Sequence, residues 1–173
     1  MDDNLEILFD EAAVSDAVHE LAARISRDYA GKEPVLISVL KGAAIFTADL
    51  MRCITVPVTV EFVQVASYGC STTSSRNITL VKDLTTDIRG KHVLLVDTII
   101  DTGETMAWLL NKLGSNGPAS INIVALLNKQ CRRTVEVPIA YMGIEIPDKF
   151  VVGYGMDCGE HYRNLPYIAM IKA

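Results

Sequence analysis

Val93 to Thr105 reads VLLVDTIIDTGET, a continuous apolar run that enters two aspartates and then a threonine-glycine turn. Val93-Leu94-Leu95-Val96 has the composition of a parallel strand covered on both faces. Residues 106–113 carry apolar side chains at helical spacing. The segment between them therefore reads as an acidic, polar turn from a strand's carboxyl end to a helix, which in open α/β sheets is where ligands bind. Thr102, Gly103, Glu104 and Thr105 offer hydroxyls, a close backbone approach and free N–H groups at a helix start, the makings of a phosphate cradle. The carboxylates of Asp97 and Asp101 would repel a phosphate. They suit sugar hydroxyls, a metal ion or a moving proton.

Outward from this stretch the same alternation recurs. Residues 11–29 place Val14, Val18, Leu21, Ala22, Ile25 and Tyr29 three and four apart. That spacing predicts an amphipathic helix, with Asp10 as N-cap and Gly31 as C-cap. Residues 35–40 follow Pro34 as a buried strand and turn at Leu40, Lys41 and Gly42 into an apolar helix over 45–51. A lysine and a glycine at such a corner suit pyrophosphate, although a solvated turn lysine is the favoured reading of this corner alone. Residues 58–65 read as a strand. The polar stretch 67–77, beginning Ser67-Tyr68, has almost nothing to bury and reads as a surface loop or a lid. Residues 120–127 form a further apolar strand, so 93–127 is a right-handed βαβ unit.

Composition narrows the function. A chain of 173 residues with 50% hydrophobic content supports one core, and a single domain over 1–173 is expected. The net charge of −5 argues against nucleic acid as a partner. The four cysteines, Cys53, Cys70, Cys131 and Cys158, form no C-x-x-C pair, which speaks against a zinc framework or a dithiol redox pair. An acidic N-terminus without a long apolar stretch argues against a signal peptide or membrane partner. A cytoplasmic protein with reduced thiols is expected.

Hydrophobic residues leading to two acidic residues, Asp97 and Asp101, and then a T-G-x-T turn resemble the phosphoribosyl pyrophosphate loop of the type I phosphoribosyltransferases. The Leu40-Lys41-Gly42 triplet is similar to the pyrophosphate loop of that family's hypoxanthine-guanine branch. Segments 143–157 and 161–167 resemble its purine-binding segment and the continuation of that segment, and Ser67-Tyr68 with the small residues after it resembles its flexible lid, whose closure would exclude water. The resemblance covers roughly the whole chain. It implies a Rossmann-like α/β fold, with a mostly parallel central sheet flanked by helices and a small hood formed by the terminal segments.

It also implies an enzyme of purine salvage. Such an enzyme moves the 5-phosphoribosyl group from phosphoribosyl pyrophosphate to hypoxanthine or guanine with Mg²⁺ as cofactor, giving IMP or GMP. By this resemblance Asp101 is the general acid/base, and Thr102, Gly103, Glu104 and Thr105 hold the 5′-phosphate. Leu40, Lys41, Gly42, Ser67, Tyr68, Asp97, Thr98 and Arg163 complete the phosphoribosyl pyrophosphate site. Lys129 donates to the 6-oxo group, which favours oxopurines over adenine. Phe150 stacks on the base, Val151 and Lys149 read its edge through their backbone, and Asp157 and Asp97 serve the metal. A cis peptide between Leu40 and Lys41 and a homodimer or homotetramer are implied as well. Taken singly, Lys129 fits an exposed lysine, Phe150 a core residue, Asp157 a turn residue and Arg163 a surface charge.

One departure stands out. The branch usually carries Glu-Asp where this chain has Asp97-Thr98, and both acids address the ribose hydroxyls and their metal. A threonine there keeps a hydroxyl but removes a charge, so looser sugar-phosphate binding or altered Mg²⁺ dependence is expected. Cys158-Gly159 likewise stands where an aromatic and a small residue are commoner. A regulator that binds nucleotide without turnover, and a phosphoribosyltransferase for another base, are the alternatives.

Overall fold

The computed structural model describes residues 4–68 and 77–172. Asp10 opens the first helix by accepting a hydrogen bond from the Ala13 N–H at 2.9 Å. Helix α1 (Glu11–Asp28) then buries Val14, Val18, Leu21, Ala22 and Ile25 along one stripe. Its C-cap is Tyr29 rather than the expected Gly31. Gly31 turns the chain two residues later, at φ 75°.

The chain then alternates β2 (Val35–Leu40), α2 (Ala44–Cys53), β3 (Thr59–Tyr68), β4 (Asn77–Lys82), β5 (His92–Ile100), α3 (Glu104–Gly114), β6 (Ser120–Asn128) and β7 (Ile139–Glu145). These strands form one sheet in the order β4-β3-β2-β5-β6-β7. All neighbours in it are parallel except β4, which pairs antiparallel with β3 at the edge. The central strands have no wet face, which explains their unbroken apolar runs. Leu36, Leu94, Val96, Val124 and Leu126 pack with α1 and α2. Val35, Ile37, Val93, Leu95 and Ile123 pack with α3 on the other side.

A second, three-stranded sheet joins the two ends of the chain. Strand β1 (Leu5–Phe9) pairs antiparallel with β9 (Ile168–Ile171), and β9 with the short β8 (Val151–Val152). This is the hood expected from the terminal segments. Of the expected lid over 67–77, residues 69–76 lie outside the described residues. The backbones of Ser67, Tyr68 and Asn77 are paired ends of β3 and β4 rather than loop. Among the described residues no helix is long and apolar enough to cross a membrane.

Edge strand β4 and the crossover after it are tied to the sheet through Glu61, a buried carboxylate on β3. It accepts hydrogen bonds from the Thr85 hydroxyl at 2.6 Å, the Phe62 N–H at 2.9 Å, the Thr85 N–H at 3.1 Å and the Thr86 hydroxyl at 3.1 Å. Lys82 Nζ completes the set at 3.2 Å. These donors, the Thr85 hydroxyl foremost, outweigh desolvation and hold the carboxyl well below its ordinary range. A depressed carboxylate pKa gives stability that is present above the unfolded value and lost as pH falls through the folded one. Glu61→Gln should lower Tm by about 3–10 °C at pH 7. In thermal melts across pH, the gap between wild type and variant should narrow below the ordinary carboxyl value of 4.5.

Candidate active site

Strand β2 is the pivot of the sheet, because β3 lies on one side of it and β5 on the other. Here the winding direction reverses, so the loops leaving β2 and β5 diverge and leave a crevice between them. The two strands are parallel neighbours with Ser38 opposite Val96. Their carboxyl ends therefore deliver the Leu40-Lys41-Gly42 corner and the Asp97 to Thr105 segment side by side. The Leu40–Lys41 peptide is cis, as expected.

Asp97 and Thr98 are not in a turn. Strand β5 continues through them to Ile100, and Asp97, Ile99 and Ile100 pair with Ala125, Leu127 and Asn128 of β6. The β-branched Ile99-Ile100 pair keeps the chain extended beyond the two polar residues. Thr98 is fully buried, and its hydroxyl donates to the Gly42 carbonyl at 3.0 Å. That hydroxyl's proton is engaged by the neighbouring loop. Asp97 accepts the Thr98 N–H at 2.8 Å. Desolvation pushes its carboxyl up to about 7 despite this bond and one from the Ile99 N–H.

The turn after β5 is set by Gly103, at φ 86°, which begins α3 without a side-chain cap. A Cβ there would stand 2.2 Å from the Val135 carbonyl oxygen, so only glycine fits. The segment after β6 props this turn. Thr134 and Val135 donate their N–H groups to the Thr102 carbonyl at 2.9 and 3.0 Å, and the Thr134 hydroxyl reaches Glu104 Oε1 at 3.2 Å. A small cavity of about 150 Å³ opens against Asp101, Thr102, Gly103 and Thr105, beside the start of α3. The Glu104 side chain lies with Thr134 and does not line that cavity.

A larger cavity of about 520 Å³ gathers most of the remaining candidates. Leu40, Lys41 and Gly42 come from the β2 corner, Asp101 and Lys129 from the ends of β5 and β6, and Phe150, Val151, Asp157 and Arg163 from the C-terminal segment. Lys129 is only 6% exposed, which rules out the ordinary surface lysine. Its ammonium lies 3.9 Å from Asp101 Oδ2. Phe150 is 58% exposed and has a free face to offer, unlike a core residue. Asp97 and Thr98 do not line this cavity, and neither does Lys149, which is exposed and donates its N–H to the Pro147 carbonyl at 2.8 Å.

Charge is paired across the cavity. Arg163 Nη2 lies 2.7 Å from Asp157 Oδ1 and 3.5 Å from Glu160 Oε2, and Lys41 Nζ lies 3.0 Å from the same Glu160 oxygen. Lys41 beside it holds the Glu160 carboxyl below its usual range. Arg132 lies 3.3 Å from Asp101 Oδ1 and 3.7 Å from Asp148, so the Asp101 carboxylate stands between two cations. Glu160, Arg132 and the Thr134-Val135 prop are missing from the sequence reading. Arg132 follows Lys129 by three residues in a short 3-10 turn, a spacing that brings it to the same side.

The loops are locked together at one point. Gly155, at φ 95°, leaves room for the Gly42 carbonyl oxygen only 2.0 Å from where a Cβ would stand. Arg163 then fastens Gly155 from behind, its Nη1 donating to the Gly155 carbonyl at 2.8 Å. Among the described residues no group of three His, Cys, Asp or Glu side chains is arranged for a metal. Asp157 offers a carboxylate at the cavity wall, although Arg163 and the Glu160 N–H, at 2.9 Å, already engage its two oxygens.

A family profile described as a phosphoribosyl transferase domain matches residues 4–158. The chain is 42% identical over 173 residues to a hypoxanthine phosphoribosyltransferase of Salmonella typhimurium, covering 99% of this chain and 97% of that one. It is 42% identical to a hypoxanthine-guanine phosphoribosyltransferase of Streptococcus pneumoniae, over 96% of this chain and 93% of that one. Among solved structures, a hypoxanthine-guanine phosphoribosyltransferase of Bacillus anthracis superposes with a TM-score of 0.92 at 43% identity, covering 96% and 98% of the two chains. A hypoxanthine phosphoribosyltransferase of Staphylococcus aureus gives 0.93 at 40%, covering 96% and 91%.

Gly155→Ala should be costly on two counts, the positive φ and the collision with backbone rather than with a yielding side chain. A loss of about 2–4 kcal/mol in denaturant melts is expected. A Gly155→Ala protein as stable as wild type would show that the two loops are not held by this contact.

Proposed function

The chain belongs to the phosphoribosyltransferase family, and on that premise we propose that it is a hypoxanthine (guanine) phosphoribosyltransferase of purine salvage. It moves the 5-phosphoribosyl group from phosphoribosyl pyrophosphate to a 6-oxopurine and releases pyrophosphate. The observation that carries the reading of the site is the meeting, in one cavity, of a carboxylate-lysine pair, an open aromatic face and two cations. Those are the groups that a base, a proton and a leaving diphosphate require.

The chemistry follows from these positions. A purine lying on Phe150 presents its 6-oxo oxygen to the buried Lys129, which can only donate. Its N7 then faces Asp101, a carboxylate on the cavity wall between Lys129 and Arg132. Asp101 accepts the N7 proton as N9 bonds to C1 of the ribose and the C1–oxygen bond to pyrophosphate breaks. The 5′-phosphate lies against Thr102, Gly103 and Thr105 at the start of α3, where backbone N–H groups favour an anion. Lys41 and Arg163 take up the charge that develops on the departing pyrophosphate, as preorganised cations do best where water is scarce.

Mg²⁺ would be held by Asp157, since this ion takes one or two protein carboxylates and completes its shell with waters and phosphate oxygens. When bound it neutralises charge on the leaving group. Asp97, whose carboxyl accepts the Thr98 N–H and does not line the cavity, would serve the metal from behind the site. Ser67 and Tyr68, at the end of β3, contribute to the phosphoribosyl pyrophosphate site, Val151 and Lys149 flank the base through their backbones, and the protein acts in the cytoplasm as a homodimer or homotetramer.

Mixing the protein with phosphoribosyl pyrophosphate, Mg²⁺ and hypoxanthine should yield IMP, detected by chromatography, and adenine should give no AMP under the same conditions. Binding of the substrates without turnover would instead mark a regulator. Asp101→Asn should lower kcat/KM for hypoxanthine by about 10²- to 10⁴-fold while thermal stability changes little. A loss below tenfold would move the proton to another group.

A further inference from the structure

Lys41 and Arg163 do not stand free. A single carboxylate oxygen, Glu160 Oε2, reaches both, at 3.0 Å from Lys41 Nζ and 3.5 Å from Arg163 Nη2. Lys41 and Glu160 lie 119 residues apart in sequence, and the pair bridges the β2 corner to the C-terminal segment across the mouth of the cavity. We propose that Glu160 is an internal stand-in for the departing diphosphate, holding Lys41 and Arg163 until a diphosphate displaces it and returning to them when the product leaves. The inference rests on the phosphoribosyltransferase reading of this cavity and adds to it a residue that sets diphosphate affinity and release.

Two carboxylates stand at these cations, Asp157 on Arg163 alone and Glu160 on both, and the geometry distinguishes them. Asp157 has a short stem, 29% side-chain exposure, and both oxygens engaged, by Arg163 at 2.7 Å and by the Glu160 N–H at 2.9 Å. Glu160 has a longer stem and 64% side-chain exposure, and among the described residues only one of its oxygens is engaged. The tethered anion stays and the exposed one yields. Glu160 also sits at φ 70°, in the turn whose N–H is fixed by Asp157, so its side chain can swing while its backbone remains in place.

Charge balance explains why such an anion is useful. Two bare cations facing a cavity would hold pyrophosphate tightly and slow its release, a step that limits many enzymes. With Glu160 competing, diphosphate gains only the difference between its own contacts and those it breaks. Exposed ion pairs are weak, so the competition should be modest and readily reversed.

The test is calorimetric titration of the full chain with pyrophosphate and Mg²⁺, comparing wild type with Glu160→Gln, Lys41→Met and the double variant. Glu160→Gln should bind pyrophosphate about 3–10-fold more tightly, the size expected for two exposed ion pairs. In the Lys41→Met background the gain should shrink, because one of the two cations being competed for is gone. Unchanged or weaker pyrophosphate binding in Glu160→Gln overturns the inference, as does an equal gain with and without Lys41. If neither wild type nor Glu160→Gln binds pyrophosphate while Tm shows both folded, the reading of the cavity fails first and takes this inference with it.

Discussion

The contact on which the site depends is the one between two backbones, where the Gly42 carbonyl enters the space that any side chain at 155 would fill. It joins the corner after β2 to the C-terminal segment, which are far apart in sequence and belong to different sheets. The same carbonyl accepts the Thr98 hydroxyl from β5. Three pieces of chain thus meet on one oxygen. Lys41 is one residue from it, Asp157 two residues beyond Gly155, and Arg163 is hydrogen-bonded to the Gly155 carbonyl. Each charged group therefore inherits its position from a backbone contact that side-chain motion does not loosen.

Electrostatics build on that frame. The cavity has cations and carboxylates in close alternation: Lys41 and Arg163 with Glu160 and Asp157 on one side, Lys129 and Arg132 with Asp101 and Asp148 on the other. No charge waits bare, which limits the desolvation penalty of assembling so many ions in one place. The arrangement has a second effect. A ligand gains by replacing one partner of a pair, so specificity comes from matching the geometry of the group it displaces rather than from net charge. This suits a chain whose overall charge is negative yet whose site must accept a polyanion.

The α/β alternation was readable because the central strands are buried on both faces, and burial writes itself as unbroken apolar runs. Helix α1 was equally clear, since its stripe and its Asp10 cap agree. The elements that went unread lack such runs. Strand β4 is a polar edge strand, β1 and β9 are short terminal pieces, and β7 lay hidden in a segment read for its binding motif. In the site, the residues carried by motif mostly reach the cavity, whereas Glu160 and Arg132 were invisible because only the fold tells which charges face each other. Lys149, expected to act through its backbone, does not line the cavity.

Asp97 and Thr98 show the limit most sharply, and here period-two geometry replaces the motif as the guide. Along β5, Leu94, Val96 and Thr98 fall on the α1–α2 face, and α2 is the helix that follows the Lys41-Gly42 corner. A residue at 98 consequently meets that corner, whatever its chemistry. The partner it finds there is a carbonyl oxygen, which needs a donor. A threonine hydroxyl donates to it, and an ionised carboxylate, an acceptor only, does not. An acid at this position would require the corner to present an N–H instead, so the residue at 98 and the orientation of the Gly42 peptide form one coupled choice. The departure from Glu-Asp thus bears on how the Lys41-Gly42 corner is held against β5.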